Sequence, residues 1–81
     1  IRVYPNPVRD IIKIEFDLMG LYEISLYGFN GQLIKQIDSI QISSGSKVFT
    51  IERNTIHEGS YILRILNKNS GEIHHIKLIL L

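Results

Sequence analysis

The sequence predicts an all-β domain, an antiparallel β-sandwich of about seven strands with Ig-like or Greek-key connections. Three observations lead there. The chain holds 16 isoleucines and no alanine, so it avoids the best helix former and favours β-branched residues. Turn signals recur every 11 to 14 residues along the chain, the spacing of short strands in a sandwich or barrel. Between the turns, apolar and polar residues alternate with period two, which gives each strand one dry and one wet face.

The turns are Pro5-Asn6-Pro7, 17–20, 28–31, Ser43-Ser44-Gly45, Glu58-Gly59 and 67–71. They leave strands expected at about 1–4, 11–17, 21–28, 32–38, 47–53, 60–67 and 72–80. In 11–17, Ile12, Ile14 and Phe16 share one face, and Lys13, Glu15 and Asp17 the other. In 21–28, Tyr22, Ile24 and Leu26 alternate with Glu23 and Ser25; in 47–53, Phe49 and Ile51 oppose Thr50 and Glu52. The sixth strand carries Tyr61, Leu63 and Ile65 on one face and the nearly as apolar Ile62, Arg64 and Leu66 on the other. That predicts a strand that is central or covered on both sides.

Gly28-Phe29-Asn30-Gly31 predicts a hairpin between the third and fourth strands, with Asn-Gly suited to a type I′ turn. Asn69-Ser70-Gly71 predicts a second, between the sixth and seventh. In 39–46, Ile40 and Ile42 fit either a short edge strand or an apolar loop. The last strand places Ile76, Leu78 and Leu80 on one face and Ile79 and Leu81 on the other. An apolar strand there either lies within a sheet or offers an edge to a partner by strand addition.

Size and charge narrow the function. For 9.3 kDa the folded surface should be roughly 5,000 Å², with about 63% of the unfolded surface buried. That suffices for one core without a deep catalytic cleft. Nine basic and eight acidic residues, a net charge of +1, leave no field for nucleic acid or an anionic membrane. No apolar run approaches the roughly 20 residues of a transmembrane helix. Without cysteine there is no disulfide, thiolate zinc site or iron–sulfur cluster, and either redox compartment is permitted. The chain starts on Ile1, without Met or signal peptide, and reads as a piece cut from a longer protein, forming a single domain over 1–81.

The chemistry-bearing residues argue against an enzyme. His74 and His75 are adjacent, so in a strand they face opposite ways and cannot chelate one ion. His57 alone makes no metal site. No nucleophile elbow, oxyanion loop or phosphate-cradling glycine cluster is present. We expect no catalytic, cofactor or metal residues. The four tyrosines could stack on sugars only if exposed and coplanar; as core or corner residues they would instead hold a sandwich together. Asp38-Ser39-Ile40 matches a short pattern resembling the O-glycosylation acceptor of some Gram-negative periplasms, which makes Ser39 a candidate modification site.

Tyr4-Pro5-Asn6-Pro7, followed by Asp10 and the alternating Ile12-Lys13-Ile14, resembles the opening of the C-terminal sorting domains of the bacterial type IX secretion system. Three more elements follow in the same order. They are Tyr22 to Leu33 as a central hairpin, Gly59-Ser60-Tyr61 as a Gly-x-Tyr strand, and a last strand carrying Lys77. The resemblance spans nearly the whole chain. It implies a non-catalytic signal that directs a cargo across the outer membrane, with the secretion machinery and a sortase-like peptidase as partners. The cargo would pass through the periplasm of a Gram-negative bacterium and end secreted or at the cell surface. Recognition would rest on Tyr4, Pro5, Asn6, Pro7, Gly59, Tyr61, Lys77, Leu78, Ile79, Leu80 and Leu81. The prolines would keep the entry segment extended, and the last strand would supply a readable edge. The competing expectation is a passive Ig-like or fibronectin-like accessory module, or a carbohydrate-binding one.

Overall fold

The structure, a computed structural model, describes residues 1–43 and 47–81. The Ser44-Gly45 part of the expected turn lies outside the described residues. Among the described residues seven strands form: β1 (Arg2–Tyr4), β2 (Ile11–Phe16), β3 (Gly20–Gly28), β4 (Leu33–Ile42), β5 (Lys47–Glu52), β6 (Gly59–Asn67) and β7 (Ile73–Leu80). They make two antiparallel sheets, ordered β1-β2-β5 and β4-β3-β6-β7. The chain therefore crosses between sheets after β2, β4 and β5, as Greek-key sandwiches do.

The dry faces meet as predicted. Ile12, Ile14 and Phe16 from β2 and Ile51 from β5 pack opposite Tyr22, Ile24, Leu26, Tyr61, Leu63, Ile65, Leu78 and Leu80. The Phe16 and Tyr22 rings lie 4.5 Å apart across the sandwich, inclined at 47°, a tilted aromatic pair. The folded surface is 4979 Å², the area expected for the mass. β6 is central, between β3 and β7, and its outer face, with Ile62, Arg64 and Leu66, is half-buried. Ser25, expected on a wet face, is buried. Its cross-strand neighbours are Gln36 and Arg64, whose long side chains flank it, and Arg64 is held by Glu23 at 3.5 Å.

Two local expectations change. Residues 39–42 are neither loop nor separate strand, because β4 runs on through Ile42. Asp38 and Ser39 oppose Glu23 alone, between the pairs Tyr22↔Ile40 and Ile24↔Ile37. This β-bulge resets the pleat so that Ile37, Ile40 and Ile42 all face the core. The Gly28–Gly31 hairpin forms, but not through a type I′ turn. Gly31 N donates to Gly28 O at 2.9 Å and Gly28 N to Gln32 O at 2.8 Å. Of the loop residues 29–31 only Gly31 has positive φ, at 85°, so the loop is a type I turn closed by a glycine bulge. The second hairpin forms as expected. Asn67 Oδ1 accepts from Asn69 N and Ser70 N, and Gly71, at φ 80°, donates to Asn67 O.

Candidate recognition site at the terminal strand

β7 is the edge of its sheet. Its even-numbered residues send Leu78 and Leu80 into the core. The backbone groups of alternate residues, including Lys77, Ile79 and Leu81, point away from β6. An apolar strand with those groups open would be a template for uncontrolled pairing. Residues 5–8 cover it. The Asn6 side chain donates from Nδ2 to Lys77 O at 3.0 Å and accepts from Ile79 N at Oδ1, 3.1 Å. Val8 then takes over with its backbone: Val8 N donates to Ile79 O at 2.7 Å and Leu81 N to Val8 O at 2.9 Å. Val8 and Leu80 form a parallel bridge.

This strap is built from its sequence. Pro5 and Pro7 have no N–H to offer a neighbouring strand, so the amide of Asn6 between them supplies donor and acceptor instead. Val8 is fully buried and anchors the strap in the core. The entry segment is consequently not extended, as the prolines alone suggested: the chain bends at Asn6 and Pro7, drawn across to β7.

A second fixing point was not visible in the sequence. Arg53, just after β5, donates to three carbonyls: Nε to Ile56 O at 2.8 Å, Nη1 to Arg9 O at 2.8 Å, and Nη1 to Leu81 O. Its backbone N donates to Asp10 O at 2.9 Å. One guanidinium thus joins the segment after the strap, the β5–β6 loop and the end of β7. Carbonyl acceptors have no side-chain signature, so no motif marks this residue.

Gly59 and Tyr61 lie at the same end of the β6–β7 pair as the strap, where Gly59 opposes Leu80 and Tyr61 opposes Leu78. Gly59 has φ 144°, which L side chains rarely adopt. A Cβ there would meet only Tyr61 Cε2 at 3.8 Å, so backbone conformation rather than crowding calls for glycine. The Tyr61 ring is buried, and its hydroxyl donates to His57 O at 2.6 Å. That is a tyrosine corner pinning the crossover into β6.

Tyr22 does the same for the crossover into β3, donating to Leu18 O at 3.0 Å. Its hydroxyl is pushed above the ordinary tyrosine range, first by burial and then by the negative charge of Asp17. The fold favours the neutral phenol. This contribution to stability is intact below the unfolded value of about 10 and is lost as pH rises through the folded one. Alkaline unfolding followed by circular dichroism should therefore fall off more steeply above about pH 10 in the native chain than in Tyr22→Phe. Equal slopes would contradict the assignment.

The remaining candidates are scattered. His74 is half-buried and pairs with Glu72 at 3.2 Å, whereas His75 is exposed on the opposite face and His57 lies in the β5–β6 loop. Among the described residues no three potential metal ligands converge. Tyr22 and Tyr61 are core residues, and Tyr4 and Tyr27 are half-buried on different sheets. Tyr4 already stacks under Arg2 at 4.7 Å. The tyrosines make no coplanar platform for a sugar. Ser39 is exposed at the β4 bulge, with Lys68 Nζ 3.4 Å from its Oγ. Among the described residues no helix is long and apolar enough to cross a membrane.

Compared with known proteins, the chain matches the family model described as a secretion system C-terminal sorting domain, over residues 2–80. Neither curated proteins nor solved structures gave a match.

Proposed function

Because the chain belongs to the family of type IX secretion-system C-terminal sorting domains, we propose that it works without catalysis, as a folded address label at the end of a larger cargo. A sorting signal of this kind marks a secreted or cell-surface protein and engages secretion machinery. The finer reading is that the machinery contacts the terminal strand and the segment that binds it. A sortase-like peptidase then removes the domain after passage through the periplasm of a Gram-negative cell. The observation that carries this reading is spatial. Two of the segments that resemble the family, Tyr4-Pro5-Asn6-Pro7 and the last strand, lie side by side through Asn6, Lys77 and Ile79. A passive spacer needs no such union of its two ends. A carbohydrate-binding module would need the coplanar tyrosines that the fold separates.

The test fuses residues 1–81 to a periplasmic reporter in a type IX-competent bacterium and weighs the exported product. The expected result is reporter outside the cell, lighter than the fusion by the sorting domain. Exported reporter with the domain intact would reject cleavage. The mass of the domain retained before cleavage also reads whether Ser39, exposed at the bulge, carries a glycan.

A further inference from the structure

We infer that residues 5–8 are a displaceable guard, and that the partner reads the terminal strand by replacing them with an extended segment of its own. This rests on the sorting reading and deepens it.

The guard is a short substitute for a strand. It meets β7 through four hydrogen bonds, two of them from the single Asn6 side chain. Pro5 and Pro7 prevent the pairing from spreading along the edge, because neither has a backbone donor. It covers groups from Lys77 to Leu81 and makes no bond to the edge groups of Ile73 or His75. Among the described residues it is tied upstream by β1, three residues long and paired to β2, and by the Ile1 amino group, 3.5 Å from Asp17 Oδ1. Segments held by few buried contacts open at lower free energy than central strands.

An incoming strand has more to gain. It can pair with the groups at Lys77, Ile79 and Leu81 and continue toward Ile73, as strand-addition partners do. The bridge between Val8 and Leu80 is parallel, so the occupant runs parallel to β7. The fully buried Val8 leaves a socket when the guard lifts. The occupant must place an aliphatic side chain there, since an empty or polar-filled socket costs the core its packing. The partner chemistry is therefore an extended peptide with an aliphatic residue at that register.

The chain has no cysteine, so a single disulfide can lock the guard. In the Val8→Cys/Leu80→Cys variant of the reporter fusion the two bridged positions are joined. Oxidised, it should be exported at under about a tenth of the level the same variant reaches when reduced, a comparison in which the substitutions at Val8 and Leu80 are held constant and only the release of the guard differs. Native-level export of the oxidised form would overturn the proposal. Should the reduced variant also fail, native-state hydrogen exchange on the unmodified chain decides. The Ile79 and Leu81 amides should exchange at least about 100-fold faster than those of Leu63 and Ile65, and Asn6→Ala should speed Ile79 further without changing Ile65. Exchange of all four at one rate would show that the guard never opens alone, and would overturn the inference. Retention of the unmodified fusion in the periplasm would instead count against the sorting reading, and the exchange result would still stand for the guard.

Discussion

Replacing Leu63 with alanine is expected to lower the unfolding free energy by about 2–5 kcal/mol, and Ile14→Ala should do the same. Both side chains are fully buried. Leu63 sits on the central strand β6, opposite Leu26 and Ile76, and Ile14 lies between Val3 and Phe49 in the facing sheet. Neither neighbourhood can collapse around the lost atoms without moving a paired strand, so cavity and transfer costs add. For a domain this small the loss approaches the total stability, which is about 0.05–0.15 kcal/mol per residue. Chemical denaturation of each variant measures it. A loss below about 0.5 kcal/mol at both sites would mean the sandwich core is elsewhere.

Deleting residues 76–81 is expected to abolish export. The structure makes this a two-part effect. The deletion removes Leu78 and Leu80 from the core and takes away the acceptors that Asn6 and Arg53 use, so the fold is weakened along with the signal. Exposed positions separate the two. Lys77→Glu and Leu81→Glu change side chains at solvent and leave Leu78 and Leu80 in place. Each should unfold within about 0.5 kcal/mol of the native chain, and each should still reduce export if the end of β7 is what the machinery reads. Undiminished secretion of the truncated fusion, with the domain folded, would sink that mechanism.

Much of the sandwich was legible because its physics is local. A strand between a dry core and water needs alternation, and Ile12-Ile14-Phe16 and Tyr22-Ile24-Leu26 display it directly. The course of β4 was not legible. A bulge at Asp38-Ser39 turns an odd-numbered inward residue, Ile37, into the even-numbered Ile40 and Ile42, so the period breaks just where the strand continues. The turn at 28–31 was placed correctly but mistyped, since Asn-Gly also fits the type I turn with a glycine bulge.

The candidate site divides the same way. Its segments at both ends of the chain were recognisable as motifs. Their union was not readable, because Asn6 and Ile79 stand 73 positions apart and meet through a backbone that any residue could provide. The same holds for Arg53, whose acceptors are all main-chain carbonyls. The last strand proved to be an edge, which the sequence left open, and one already occupied along part of its length.

The destination of a cargo tests the sorting role most directly. A reporter carrying residues 1–81 at its C-terminus should appear outside a type IX-competent cell and remain in the periplasm of an otherwise identical cell lacking the type IX machinery. The same distribution in both strains would contradict it.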